Sequence, residues 1–145
     1  MNLGNRLLIP VILPLVFFAL ALAAGCGKKA WPEPNLEAET FTFSAVSARM
    51  RDTCLVIQAE VAGNWTNLDV VFVELAKDDC MKCPFRPRER REFPLNSPFV
   101  IRQEHRLIVN VCGLDKKTAY RWRLVGRNVF SDLNEVFSPV GVVKP

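Results

Sequence analysis

Beyond Thr40 the chain alternates apolar and polar residues in six short runs: TFTFSAVSA, CLVIQAEV, LDVVFVEL, RLIVNVCGL, YRWRLVGRN and EVFSPVGVV. A period of two sends successive side chains to opposite faces of a strand. The runs are rich in β-branched and aromatic residues and are separated by turn residues such as Asp115-Lys116-Lys117. After Cys26 no stretch offers a helical stripe of ten residues or more. No internal repeat or low-complexity tract interrupts the pattern. Residues 40–145 are therefore expected to form one all-β domain, a sandwich with one face of each sheet in the core.

The opening of the chain is built differently. In MNLGNRLLIPVILPLVFFALALAAGC, Arg6 is the only charge and residues 7–22 are almost wholly apolar. A charged start, a short apolar run and small residues at its end make an export signal. The run is short for a membrane span, and Pro10 and Pro14 disturb a helix there. Its end, Ala23-Ala24-Gly25-Cys26, resembles the lipobox of bacterial lipoproteins, with alanine and Leu22 near the place where that family prefers leucine. The resemblance implies cleavage after residue 25 and a covalent lipid on Cys26, with no other cofactor. Two or more acyl chains hold a protein stably on a bilayer. Residues 26–39 then form a tether, stiffened by Pro32 and Pro34, with Lys28 and Lys29 near the lipid surface. In enteric lipoproteins, glycine rather than aspartate after the cysteine implies the outer membrane, facing the periplasm. CGKKAWPEP also resembles the start of very small envelope lipoproteins that assist assembly of a lipopolysaccharide transporter.

The formal net charge of +4 includes Arg6 of the leader. So mild an excess on an exported chain argues against nucleic acid as a partner.

The last third, GLDKKTAYRWRLVGRNVFSDLNEVFSPVGVV, resembles the end of a fibronectin type III domain. Leu114, Thr118, Tyr120, Gly126 and Asn128 fall in the family's places, while Lys116 stands where proline is frequent. The resemblance implies a seven-strand Greek-key sandwich of the immunoglobulin-like kind, with Tyr120 tying one strand to the preceding connection through its hydroxyl. It implies binding or spacing rather than catalysis. Trp65 departs from the pattern: it follows Gly63 in a loop, whereas the family's core tryptophan ends the second strand.

With Cys26 set aside, Cys54, Cys80, Cys83 and Cys112 remain, an even number that in an exported domain reads as disulfides. Cys54 has the opposite parity to Leu55, Ile57, Ala59 and Val61; Cys112 has the opposite parity to Leu107, Val109 and Val111. In a fibronectin-like topology these two strands are neighbours, so Cys54 and Cys112 meet on an outer face at one pole, and Cys80–Cys83 is the second pair. Two alternatives stay open. Four thiolates from Cys54, Cys80, Cys83 and Cys112 could hold zinc, although zinc sites normally use two close pairs. Cys80 and Cys83 could exchange thiols, although no βαβ pattern surrounds them. Pro84 excludes haem attachment.

CPFRPRERREFPLNSPF, residues 83–99, is the longest expected irregular stretch. Arg86, Arg88, Arg90 and Arg91 with Phe85 and Phe93 are the candidate partner-binding residues, because arginine and aromatic side chains dominate binding hot spots. Arg121, Arg123 and Arg127 read as an exposed strand face, and the lone His105 as a rim residue. No serine sits in a nucleophile turn and no carboxylate pair forms a catalytic frame. The sequence thus points to a lipid-anchored envelope protein that binds another envelope protein without catalysis. The other readings are a periplasmic thiol-redox or zinc lipoprotein and an accessory to outer-membrane assembly.

Overall fold

The computed structural model describes residues 36–145 apart from Met81. The expected leader, the lipidation residue Cys26 and the tether up to residue 35 lie outside the described residues. The described chain opens with a 3-10 turn, Leu36–Glu39. Nine strands follow: β1 (Phe41–Arg51), β2 (Cys54–Gly63), β3 (Leu68–Lys77), β4 (Glu89–Pro94), β5 (Val100–Gln103), β6 (Arg106–Val111), β7 (Tyr120–Asn128), β8 (Val136–Phe137) and β9 (Gly141–Val143).

The strands form two antiparallel sheets, a β-sandwich. One sheet has the order β1-β2-β6-β5; the other runs β4-β3-β7, with β8 and β9 both on the far edge of β7. The chain passes from one sheet to the other after β2, after β4 and after β6. The inward residues are those whose parity marked them. Leu55, Ile57, Ala59 and Val61 of β2 and Leu107, Val109 and Val111 of β6 face Val71, Val73 and Leu75 of β3 and Trp122 and Leu124 of β7 in one core. Full burial of each large aliphatic side chain contributes roughly 1.5–3 kcal/mol, which lets a domain without long helices stand on one core.

A bulge in β1 explains why its alternation does not run through. Ala45 has a left-handed φ of 48° and the register with β2 shifts between Ser44 and Ser47. The extra residue reverses parity. Phe41 and Phe43 are buried before it, and Val46, Ala48 and Met50 lean on the core after it. Gly126 lies under Phe41 and Phe43; a Cβ there would come within 2.7 Å of the first ring and 2.8 Å of the second. The core tryptophan is Trp122 on β7, whereas Trp65 sits in the 3-10 turn Trp65–Asn67 and only partly packs on the core.

Two corrections follow. The stretch expected to be irregular contains β4 and leads into β5. β4 is an edge strand with one buried residue, Phe93, so its charges mask the period; β5 has only four residues. The last expected strand is two. Between β8 and β9, the Ser138 N–H donates to the Leu124 carbonyl and the Ser138 hydroxyl accepts from the Leu124 N–H at 2.9 Å. Pro139, which has no N–H, then ends the pairing.

Candidate functional site

The turn between β1 and β2 has two residues, with Arg51 opposite Cys54. Asp52 takes a left-handed φ of 52° there, a conformation that aspartate tolerates. This fixes where β2 begins. Since Leu55 pairs with Val111, Cys54 falls opposite Cys112, and their sulfurs are bonded. Both side chains have the outward parity. Cys80 and Cys83 are bonded to each other in the connection after β3. The four cysteines are thus divided into two pairs. Among the described residues no group of three or more His, Cys, Asp or Glu is placed to hold a metal ion.

The ends of β3 and β6 and the starts of β4 and β7 meet at this pole. Lys77 pairs with Tyr120, and the Asp78 N–H donates to the Ala119 carbonyl. The Tyr120 hydroxyl accepts a hydrogen bond from the Asp115 N–H at 3.1 Å, so it ties β7 to the preceding connection. The Asp115 carboxylate in turn accepts from the Lys117 N–H and the Thr118 hydroxyl, both at 2.9 Å. These two bonds, the backbone one first, hold its carboxyl below the ordinary aspartate range, with a smaller contribution from the Lys77 charge.

The basic stretch divides into two parts. Cys83 is held by its disulfide and by its carbonyl, which accepts from Arg121 at 2.6 Å. Phe85 is half-buried, with the guanidiniums of Arg121 and Arg123 at 5.6 and 5.5 Å from its ring centre. Pro84 and Pro87 remove further freedom. On this stiff support Arg86 and Arg88 are exposed and form no ion pair among the described residues.

The second part, on β4, is occupied. Arg90 reaches Glu74 and Glu135 and lies 4.0 Å over the Phe72 ring. The bond to Glu135 holds its guanidinium above the ordinary value. Arg91 donates to Glu89 and to the Cys112 carbonyl. Phe93 is a correction to the expected contact set: it is 8 % exposed and belongs to the core. Its row on β4 faces the opposite sheet, so burial wins over exposure there.

The expected arginine row on β7 is also engaged. Glu74, 5 % exposed, is clamped by Arg123 at 2.6 Å and Arg90 at 3.4 Å. An unpaired carboxylate so buried would be costly, and the two guanidiniums offset that cost. Arg127 pairs with Asp69 at 3.1 Å, and Arg123 lies 4.4 Å over Phe137. This face is a structural lattice covering Val70, Phe72 and Val125.

A cavity of about 680 Å³ opens at the disulfide pole. Leu75, Leu114 and Tyr120 line it below; Lys77, Asp79, Arg88, Glu89 and Arg91 stand among its walls. The expected site did not include Lys77, Leu114 or Tyr120. One signal for Lys77 was present: it shares parity with Val73 and Leu75, so a core row runs out into a charge at the open end of the sandwich.

The opposite pole is built from three asparagine amides around one glutamate. Asn64 and Asn67 donate to the Glu39 carboxylate at 2.9 and 2.6 Å, and Asn67 and Asn128 donate to the Glu39 carbonyl at 3.1 and 2.7 Å. Glu39, the last residue of the expected tether, is therefore bound into the sandwich. His105 lies at this pole, exposed, in the two-residue turn between β5 and β6, with its ring 5.4 Å from Trp65. Arg102 stacks 4.3 Å over the same tryptophan, and burial lowers its pKa.

Compared with known proteins, the chain matches no family model and no curated protein.

Proposed function

We propose that the chain is a bacterial envelope lipoprotein, anchored through a lipid on Cys26, whose sandwich binds another envelope protein without catalysing a reaction. The leader and Ala23-Ala24-Gly25-Cys26 support the anchor, with the outer membrane facing the periplasm as its place. The strand order, in which β1-β2-β6-β5 packs on β4-β3-β7, and the Tyr120 hydroxyl bond support a fibronectin type III-like, immunoglobulin-like sandwich. The observation that carries the binding reading is the pair Arg86 and Arg88: exposed, without an ion pair among the described residues, and carried on a loop held by a disulfide, two prolines and a half-buried phenylalanine. Such preorganisation lowers the entropy lost on binding. Long surface loops that a rigid scaffold positions are where partners are met.

The test has two stages. Mass spectrometry of the membrane-extracted protein, alkylated before and after reduction, should find an acylated Cys26 and no free thiol. An uncut, unmodified Cys26 sinks the anchor. Cross-linking in the envelope should then capture a partner with the natural chain and lose it with Arg86→Glu/Arg88→Glu. Capture that survives this reversal rejects the surface.

A second reading, thiol exchange, is favoured by the exposure of both Cys80 and Cys83, three residues apart in a surface loop. It predicts reversible reduction of that pair in the envelope while Cys54–Cys112 stays oxidised. A pair that remains fully oxidised under the same conditions removes it.

A further inference from the structure

The cavity at the disulfide pole has two kinds of surface. Leu75, Leu114 and Tyr120 are nearly inaccessible yet line it, so its floor is apolar. Of the walls, Arg91 is committed to Glu89 and to the Cys112 carbonyl. That pairing neutralises Glu89 as well. Lys77 and Arg88 remain: both are exposed, both line the cavity, and neither forms an ion pair among the described residues. The Lys77 charge also acts weakly on Asp115, and Asp78 and Asp79 follow it in the chain. Asp79, the other carboxylate of the wall, forms no ion pair among the described residues. The Arg88 backbone is fixed, since its N–H donates to the Leu75 carbonyl at 2.8 Å. An apolar floor with two unspent cations at its mouth fits a group that is apolar at its centre and anionic at its margin.

We infer that this cavity receives an acidic segment of a partner protein, with one apolar side chain on the Leu75–Leu114–Tyr120 floor and flanking carboxylates on Lys77 and Arg88. The inference rests on the binding-module reading and gives its partner a chemistry. A protein segment is favoured over an anionic bilayer by the path of the chain. β1 starts at the asparagine pole, where Phe41 pairs with Gly63, and ends at the cavity pole, where Arg51 pairs with Cys54. Its eleven residues span about 36 Å. The cavity therefore opens at the end of the domain away from the point where the expected N-terminal tether joins it. Charge complementarity of this kind steers encounter and selects partners.

The probe is the peptide Asp-Glu-Phe-Glu-Asp, titrated into the full chain in detergent solution and followed by amide chemical shifts. Shifts should concentrate at Ala76, Lys77, Gly113, Leu114 and Tyr120. Affinity should fall about tenfold or more in Lys77→Glu/Arg88→Glu, whose unchanged spectrum elsewhere reports an intact fold. It should fall severalfold when serine replaces the peptide's phenylalanine. Equal binding of the serine peptide overturns the apolar floor, and shifts confined to other residues overturn the site. The same shifts from phosphatidylglycerol vesicles without peptide overturn the choice of a protein segment. Failure here is separable from failure of the binding reading: envelope capture that depends on Arg86 but is untouched by Lys77→Glu keeps a binding module and discards this cavity.

Discussion

At the pole where the chain enters β1, three asparagine side chains converge on Glu39; at the other pole, two disulfides and a tyrosine hydroxyl fix the loops. The first arrangement uses reversible hydrogen bonds, contributing about 1 kcal/mol net each to the Glu39 carbonyl and roughly 1.5–3 kcal/mol each to its carboxylate. The second uses covalent bonds, with Arg91 and Arg121 bonded to the cysteine carbonyls and other cations beside them left without an ion pair among the described residues. Arg86, Arg88 and Lys77 form no ion pair among the described residues, whereas Arg90, Arg91 and Arg123 do. Cations without an ion pair among the described residues, at the end of β3 and on a disulfide-bonded connection, distinguish the proposed contact pole from the entry pole.

The largest expected effect breaks the covalent side of this comparison. Cys54→Ala/Cys112→Ala opens a loop with a sequence separation of 58, which a chain-entropy model values at about 4 kcal/mol. Cys80→Ser/Cys83→Ser opens one of 3, worth less than about 2 kcal/mol. Urea unfolding of the oxidised proteins should rank them in that order; equal losses would mean that local strain, not loop length, governs the pole. Next comes the entry pole. Asn128→Ala removes a buried donor to the Glu39 carbonyl, at a cost of about 1–3 kcal/mol, and should speed proteolysis around residues 36–40. An unaltered cleavage rate would show that the clamp does not hold Glu39.

Tyr120→Phe sharpens the contrast by deleting one neutral bond at the covalent pole, and should cost about 1 kcal/mol in the same unfolding experiment. A loss as large as that of Cys54→Ala/Cys112→Ala would make the hydroxyl, not the disulfide, the main lock. The smallest effect concerns acid. The folded carboxyl of Asp115 lies below its ordinary range because the ionised form accepts two hydrogen bonds. Its contribution is complete above the unfolded pKa and is lost as pH falls through the depressed folded value. An NMR titration of Asp115 should show a midpoint below that of Asp115 in the urea-unfolded chain, and Asp115→Asn should remove this part of the acid sensitivity.

Much of this plan was legible in residue order. The parity of β2 and β6 marked the core rows, and the same parity turned Cys54 and Cys112 outward to meet. What escaped was set by partners distant in sequence. Phe93 lies among arginines and glutamates, and only the β3 neighbour of its strand makes it a core residue. The commitment of Arg90 depends on Glu74 and Glu135, far away in the chain. The cavity is assembled from the ends of several elements, so no local pattern announces it. The β1 bulge is hidden for a different reason: Ser44-Ala45-Val46-Ser47 accommodates either parity, and packing of Phe41 and Phe43 over Gly126 decides.

The hairpin joining β1 to β2 closes at Cys54, and Cys54 is bonded across to β6. Consider that connection under tension. If the contact pole is held by a partner and the entry end is pulled, the β1–β2 ladder is loaded in shear, with its hydrogen bonds strained together rather than one after another. Should the ladder yield, the chain released from Glu39 to Cys54 is about fifteen residues, or about 50 Å. The pull then arrives at a covalent bond that passes it to β6, the neighbouring strand of the same sheet. Because folded β1 already spans about 36 Å along the pull, the chain would gain only about 14 Å before the Cys54–Cys112 bond takes the load, with the rest of the sandwich still folded.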